Sequence, residues 1–205
     1  IRARGARDWP SRFGFDPERQ PADLTQALGT GSTTPLQLAG AYAVLANGGY
    51  RISPVLIQRI ARASGEVVFE APAPVVDESQ RAIPARNAFM VSTLLQEVTR
   101  SGTAARAQAT LKRPDLYGKT GTTNDVVDAW FGGYQPGRVA VVWVGYDAPR
   151  SLGSRASGSA LALPAWIDYM SVALKGVPVQ EVQPPEGVVR SGSEWRYAEW
   201  NLSLI

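Results

Sequence analysis

One lysine in the middle of the chain lies between glycines and threonines, a combination that suits an anionic ligand. The run Gly-Lys-Thr-Gly occupies positions 118 to 121 and is followed by two further threonines. Small glycines let a ligand backbone approach an extended strand closely. A lysine beside hydroxyls and open backbone N–H groups favours a carboxylate, because charge-assisted hydrogen bonds are about twice as strong as neutral ones. The candidate site residues are Lys119, Thr120, Gly121 and Thr122.

The composition removes several kinds of chemistry. The 205 residues include neither cysteine nor histidine, which excludes disulfides, zinc sites with nitrogen or sulfur ligands, and serine–histidine or cysteine–histidine catalytic pairs. A catalytic base would have to be a lysine, a carboxylate or a tyrosine. Asn124, Asp125 and Asp128 follow the lysine closely, and we assign them turn and hydrogen-bonding roles. We predict no metal site and no cofactor.

A phosphate-binding loop is the first rival interpretation of the lysine, because Gly-Lys-Thr also ends the pattern G-x-x-x-x-G-K-[ST]. The first glycine of that pattern would fall at Arg113, Pro114 follows it, and no buried strand precedes the motif. The backbone nest that holds a phosphate therefore cannot form there.

Nucleic-acid binding is also disfavoured. The net charge is +3, yet the arginines are scattered singly and the six tryptophans lie in apolar runs. A nucleic-acid-binding surface normally gathers its basic residues into one stripe. The longest apolar run, residues 139 to 144, is far shorter than the roughly 20 residues of a membrane-spanning helix.

Three helices are predicted from apolar residues at helical spacing. The first follows Thr34-Pro35, an N-cap and a proline at the first helical position. The second begins after Pro84 and ends at Gly102, and the third covers residues 160 to 174. Their apolar faces, which we expect to be buried, comprise Leu38, Ala41, Tyr42 and Leu45, then Phe89, Met90, Leu94, Leu95 and Val98, then Trp166, Ile167, Met170 and Leu174.

A first β-hairpin is predicted within residues 51 to 71. Val55 and Ile57 would lie in one strand and residues 67 to 69 in the other, on either side of a Ser-Gly turn. Residues 103 to 113 are polar and small, which favours a loop or a short turn that leads into the lysine strand.

A second hairpin is predicted after the lysine strand. Residues 130 to 134 and 138 to 146 flank a Gln-Pro-Gly loop that is short enough to join antiparallel strands. The run from residue 139 to 144 is apolar on both faces, which indicates a central strand covered by helices on both sides.

With these elements in place, the sequence resembles the transpeptidase domain of class A, bifunctional penicillin-binding proteins. The resemblance covers about residues 9 to 175. It rests on KTGTTNDVVDAWFGGYQP and VVWVGYD, on the upstream stretch ALGTGSTTPLQLAGAYAVLANGGYRISP, and on the downstream stretch GSALALPAWIDYM. The implied fold is α/β in the α+β sense, an antiparallel sheet flanked by helices as in the penicillin-binding and serine β-lactamase superfamily.

The chain departs from the family in one respect. Family members build the site from S-x-x-K, S-x-N or S-D-N, and K-T-G, and only the third motif occurs here, at positions 119 to 121. We therefore expect an incomplete domain. Residues 1–176 would be its C-terminal portion, and residues 177–205 a tail packed on it.

The resemblance implies a mechanism and partners. In the family a serine attacks the D-Ala-D-Ala carbonyl of a peptidoglycan stem peptide, and the acyl group is transferred to an amine of a neighbouring peptide. Lys119 would be the catalytic residue present here, supplying positive potential, while the Thr120 and Thr122 hydroxyls would hold the substrate carboxylate. The backbone N–H of Thr122 would be one oxyanion donor. The implied partners are stem peptides, β-lactams and the missing N-terminal part of the same protein.

The implied location is the periplasmic or extracytoplasmic face of the cytoplasmic membrane, with contact to the membrane only through an anchor outside this chain. The absence of cysteine fits an oxidising compartment. A function of another class stays open. The chain could be a non-catalytic module that binds peptidoglycan or protein, in which Lys119 is a solvated edge-strand lysine that discourages aggregation.

Overall fold

A computed structural model describes residues 3–200 of the chain. Within this range the α-helices are α1 (Ala3–Asp8), α2 (Pro35–Ala46), α3 (Ala85–Arg100), α4 (Ala105–Leu111) and α5 (Leu163–Ala173). The strands are β1 (Arg59–Ala61), β2 (Val67–Glu70), β3 (Tyr117–Thr122), β4 (Asp128–Gln135), β5 (Arg138–Gly145), β6 (Val188–Ser191) and β7 (Glu194–Tyr197). A π-helical turn, Gly158–Ala162, runs directly into α5. None of the helices in this range is long and apolar enough to cross a membrane.

An antiparallel sheet in the order β3-β4-β5 is the centre of the molecule. Tyr117 lies opposite Tyr134 in the first pair of strands, and Gln135 lies opposite Arg138 in the second. The predicted hairpin after the lysine strand is confirmed. The central strand is β4, however, and the prediction that residues 139 to 144 form it is wrong, since β5 has no partner strand on its far side among the described residues.

The two faces of β4 pack against different helices. A Cβ on Gly132 would collide with the Tyr42 ring of α2, and a Cβ on Gly133 would press on the Trp166 ring of α5. Helices therefore cover both faces of the sheet, and this apolar cover explains why β5 is apolar on both sides although it is an edge strand.

The main apolar core lies on the α5 face of the sheet. The rings of Phe131 and Trp166 meet edge-on with centroids 4.9 Å apart, and the Trp166 indole N–H donates to the carbonyl of Ala140 at 3.1 Å. The other fully buried members include Ala104, Ala107, Leu116, Ala162, Leu163 and Met170. This core joins α4 and α5 to β4 and to Leu116, the residue directly before the lysine strand.

The predicted helices are largely confirmed. Thr34 and Gln37 form a capping box at the start of α2, in which the side chain of each accepts from the backbone of the other. Pro84 immediately precedes α3. The buried face of α3 differs from the prediction, because Leu94 is 69% exposed while the polar Ser92 and Thr99 are buried. Both buried hydroxyls are hydrogen-bonded, Ser92 to the Tyr134 hydroxyl and Thr99 to the carbonyl of Leu116.

Two local predictions are wrong. Residues 103 to 113 contain the helix α4 rather than only a loop, because three alanines in seven residues favour a helix and Ala107 anchors it in the core. In the first hairpin, strand β1 begins at Arg59, and neither Val55 nor Ile57 belongs to it. Both hairpin strands are exposed throughout, so no buried face fixes the register that the apolar pattern suggests.

The segment after α5 contacts the body of the molecule at two places. Trp195 of β7 meets Phe89 of α3 edge-on, with ring centroids 5.1 Å apart, and Arg86 pairs with Glu199 at 2.8 Å. The division of the chain at residue 176 stays a prediction.

Candidate active site

The strand β3 presents one unpaired edge beside the lysine. The backbone N–H of Thr123 donates to the carbonyl of Asp128 at 3.2 Å, in register with the pairing of β3 and β4. Hydrogen-bonded and non-hydrogen-bonded positions alternate along an antiparallel pair. The N–H and C=O groups of Gly118, Thr120 and Thr122 therefore point away from β4, toward an edge that no other strand among residues 3–200 occupies.

Lys119 is exposed and brings its charge to this edge. Its ammonium Nζ donates to the carbonyl oxygen of Thr120 at 2.9 Å, one of the carbonyls that point outward. The lysine side chain leaves the strand on the α2 face, opposite Gly132. An anion at the open edge would therefore meet the ammonium and the outward N–H groups together.

The two threonine hydroxyls of the motif lie on the other face and have fixed partners. Thr120 Oγ1 is 2.9 Å from Thr103 Oγ1, in the turn between α3 and α4. Thr122 Oγ1 accepts a hydrogen bond from the backbone N–H of Gly158 at 3.0 Å. The four candidate residues are thus contiguous along one edge, with the cation on one face and the hydroxyls on the other.

Gly158 lies so close to the motif that only glycine fits there. A Cβ on Gly158 would collide with the carbonyl oxygens of Gly121 and Trp130. The π-helical turn before α5 therefore rests directly on the backbone of the lysine strand. This close contact fixes the donor that orients Thr122.

A cleft of about 1060 Å³ opens on the Lys119 side of the sheet. Its walls are the Lys119 strand, the segment from residue 28 to 35, the Tyr42 side of α2, and the indoles of Trp130 and Trp143. A cation at one end and aromatic surface along the wall suit an occupant that has one anionic group and an apolar body.

Asp128 holds the aromatic wall in place. Its carboxylate accepts a hydrogen bond from the Trp143 indole N–H at 2.7 Å, and the Trp130 and Trp143 rings pack with centroids 6.1 Å apart. The Thr123 hydroxyl accepts the backbone N–H groups of Val127 and Asp128, each at 3.0 Å. Asp128 thus has the hydrogen-bonding role expected from the sequence. No cluster of three or more side chains that could hold a metal occurs within the described residues.

A buried ion pair anchors the start of the lysine strand. Asp115, 0% exposed, accepts from Arg113 at 2.9 and 2.7 Å, from the Gln135 amide at 3.2 Å and from the backbone N–H of Gln180 at 2.9 Å. Burial raises the pKa of the Asp115 carboxyl, but these donors outweigh it, and the net pKa lies below its ordinary value. Nothing local in the sequence distinguishes this aspartate from a surface one.

The tyrosines near the strand are not ready bases at neutral pH. Burial raises the pKa of Tyr117 to about 12, and its hydroxyl accepts the backbone N–H of Val182 at 3.0 Å. Burial likewise raises the pKa of Tyr134, whose ring stacks on that of Tyr117 with centroids 4.8 Å apart. Lys119 is the exposed titratable side chain of β3 itself.

Three parts of this arrangement are not predicted by the sequence. The sequence places Thr103 in a loop or a short turn, and it gives neither Gly158 nor Asp115 a role. Thr103, Gly158 and Asp115 each form hydrogen bonds with segments far away in the chain, at Thr120, Thr122 and Gln180 respectively. Local residue patterns do not report such contacts, and the small residues around Gly158 are the one local signal.

Comparison with known proteins identifies the family of the chain. The family model described as the penicillin binding protein transpeptidase domain matches residues 11–164. Penicillin-binding protein 1A of Neisseria flavescens is 46% identical over 190 residues, which cover 92% of this chain and 24% of that protein. The chain therefore spans about a quarter of the length of this curated relative.

Two solved structures are similar to this chain. Penicillin-binding protein 1A from Haemophilus influenzae superimposes with a TM-score of 0.83 at 30% identity, over 93% of this chain and 35% of that one. PonA1 from Mycobacterium tuberculosis in complex with penicillin V gives a TM-score of 0.62 at 29% identity, over 83% of this chain and 45% of that one. The chain belongs to the penicillin-binding protein transpeptidase domain family.

Proposed function

We propose that this chain supplies the lysine side of a D,D-transpeptidase active site that cross-links peptidoglycan stem peptides and is acylated by β-lactams. The observation that carries the proposal is the position of Lys119, Thr120, Gly121 and Thr122 along the open edge of β3. An extended peptide can add to such an edge by main-chain hydrogen bonds. The penicillin V complex of the similar PonA1 protein supports the ligand class.

Each motif residue has a separate role in this proposal. Lys119 supplies positive potential for the terminal carboxylate, and the Thr120 and Thr122 hydroxyls donate hydrogen bonds to it. Gly121 has no side chain that would hold the substrate away from the strand. The outward N–H of Thr122 stabilises the oxyanion of the tetrahedral intermediate, an interaction worth about 2.7–4 kcal/mol when such a donor is lost.

The nucleophile comes from outside this chain. A serine Oγ, deprotonated by its neighbouring lysine, bonds to the D-Ala-D-Ala carbonyl carbon, and the amide C–N bond breaks as the leaving D-alanine takes a proton. The amine of a neighbouring stem peptide then attacks the ester, forms the new amide bond and returns the proton to the serine. A β-lactam follows the first step and stays bound as the acyl-enzyme.

The N-terminal part of the same protein, which carries the serine, docks against the sheet face at the 1060 Å³ cleft. Residues 1–176 are the C-terminal portion of the transpeptidase domain, and residues 177–205 are its tail. The reaction takes place at the periplasmic or extracytoplasmic face of the cytoplasmic membrane, to which an anchor outside this chain attaches the protein.

Labelling with a fluorescent penicillin tests the proposal. The full-length protein should form a stoichiometric adduct by intact-mass measurement, and peptide mapping should locate it on a serine outside residues 1–205. Residues 1–205 alone should form none. An adduct on a serine of this chain, with Ser101 and Ser157 the first to examine, would contradict the division of roles. A full-length protein that binds peptidoglycan without acylation would instead be the non-catalytic binding module.

A further inference from the structure

A threonine outside the family motif contacts the motif directly. Thr103, in the turn between α3 and α4, places its hydroxyl oxygen 2.9 Å from that of Thr120. Both residues remain at least partly exposed, so a ligand on the edge of β3 can reach this pair. The pair is 17 positions apart in sequence, and only the fold brings it together.

The turn that carries Thr103 is held firmly. The neighbouring Ala104 is 0% exposed and belongs to the main apolar core, and its backbone N–H donates to the carbonyl of Val98 at 3.1 Å. On the other side, a Cβ on Gly102 would come within 2.9 Å of the Val98 backbone. The backbone position of Thr103 is therefore set by the packing of its neighbours and not by the ligand.

The number of protons in the pair determines which hydroxyl donates. A hydroxyl has one proton, and an ionised carboxylate can only accept. If the Thr120 proton is given to a carboxylate, it cannot also be given to Thr103, so Thr103 must donate to Thr120. This order makes a chain of two hydrogen bonds that end on the anion, and each bond polarises the next.

Thr122 shows the same arrangement with a donor that cannot reverse. The backbone N–H of Gly158 can only donate, so Thr122 Oγ1 is the acceptor of that bond and its own proton is left for a ligand. Both hydroxyls of the motif thus have a partner from another segment of the chain that can donate to them.

We propose that Thr103 is a positioning residue of the anion site, whose hydroxyl donates to Thr120 and thereby directs the Thr120 proton to the carboxylate of the ligand. The inference rests on the proposed function and identifies the group that this part of the site recognises. It predicts that Thr103 matters for ligands that carry the carboxylate and is unimportant for ligands that lack it.

The test compares two probes on the full-length protein, a penicillin with its free carboxylate and the neutral methyl ester of the same penicillin. Thr103→Val keeps the side-chain shape and removes the hydroxyl. It should lower the second-order acylation rate constant for the free acid by about tenfold, because a hydrogen bond that supports a charged acceptor is lost. The rate constant for the ester should change by less than about twofold.

Three further single variants and one double variant serve as controls. Thr103→Ser retains the hydroxyl and should preserve acylation by the acid. Thr110→Val makes the same change at an exposed position of α4, where, among the described residues, the hydroxyl forms no hydrogen bond, and it should leave both rates unchanged. Thr120→Val should lower the acid rate, and adding Thr103→Val to it should cause little further loss.

Each possible result is decisive. Equal losses for acid and ester would mean that Thr103 has only a structural role, and no loss for either would mean that it has no role. Both overturn the inference and leave the proposed function intact, provided that the unaltered protein is labelled. A full-length protein that neither penicillin labels overturns both. If Thr103→Val does not fold, the same measurement is made on Thr103→Ala and on Thr120→Val. For each variant, the loss in acylation rate constant for the free acid is compared with the loss for the ester.

Discussion

The backbone N–H of Gly158 donates to the hydroxyl of Thr122 at 3.0 Å, on the opposite face of β3 from Lys119. The bond connects the π-helical turn before α5 to the strand that carries the family motif. A residue more than thirty positions downstream therefore orients a candidate substrate-binding hydroxyl before any ligand arrives, which is the kind of preorganisation that an anion site requires.

Replacing Thr122 by valine should affect both stability and reaction. The change removes the acceptor of the Gly158 N–H, and leaving a donor unpaired costs about 1–3 kcal/mol of the free energy of unfolding. It also removes a donor to the ligand carboxylate, so penicillin acylation of the full-length protein should slow. Thr122→Ser keeps the hydroxyl and should preserve most of both properties. If the two variants were equally stable and equally reactive, the Thr122 hydroxyl would have no such role.

Replacing Lys119 by alanine should strongly reduce acylation of the full-length protein by penicillin and change the thermal unfolding temperature little. The side chain is exposed, and its only hydrogen bond within residues 3–200 is to the carbonyl of Thr120, so it contributes to carboxylate recognition rather than to packing. Fluorescent-penicillin labelling rates and a thermal melt measure the two quantities.

The other two lysines are matched controls for that experiment. Lys175→Ala removes a cation at an exposed position after α5. Lys112→Ala removes a cation just before the lysine strand. The backbone of residue 112 is left-handed, with φ of 52°, and alanine must adopt the same conformation as lysine there. Neither variant should slow acylation, and a loss in either one comparable to that of Lys119→Ala would argue against the assignment.

Asp115 predicts a pH dependence of stability. Its folded-state pKa lies below the ordinary value, so its stabilising contribution is complete above the unfolded-state pKa of about 3.9 and is lost as the pH falls through the folded-state value. Asp115→Asn cannot ionise, so it abolishes the buried ion pair with Arg113. Removing one partner of such a pair costs about 3–5 kcal/mol.

Calorimetric unfolding of the domain in the full-length protein, from about pH 7 to about pH 3, measures this effect. The unfolding temperature of the unaltered protein should exceed that of Asp115→Asn by a constant amount down to about pH 5, and the difference should shrink below about pH 4. A difference that grows in acid would mean that the folded-state pKa is raised and not lowered.

The aromatic contact of the tail gives a further prediction. Trp195→Ala removes the ring that meets Phe89 of α3 at 5.1 Å. It should loosen β6 and β7 without affecting acylation, because within the described residues these two strands pair with each other and not with β3. Hydrogen exchange over residues 188–197 should accelerate, while exchange in β4 stays slow. If exchange accelerates equally in both regions, residues 177–205 are an integral part of the domain and not a tail packed on it.

Much of the local structure follows from the sequence. Thr34 and Pro35 are sufficient to place the start of α2, since the cap and the fixed proline dihedral act within a single turn of helix. The hairpin of β4 and β5 likewise follows from a Pro-Gly turn between apolar runs. The lysine motif is recognisable because its residues are adjacent in the chain.

Other features are decided only by the tertiary structure. Whether β4 or β5 is central depends on which strand β3 pairs with, and apolar runs do not record pairing partners. The alanines of residues 105–111 permit a helix, and the contact of Ala107 with the core stabilises it, which the polar and small character of the segment does not reveal. The first hairpin differs in register from the prediction because none of its strand residues is buried.

The candidate site divides in the same way. The sequence by itself determined that Lys119, Thr120, Gly121 and Thr122 lie together on an extended strand, because strand geometry is local. Only the tertiary structure decided that Thr103 and Gly158 support the two hydroxyls, because hydrogen bonds between distant segments depend on how α4 and α5 pack against the sheet, and no local pattern of residues encodes that packing.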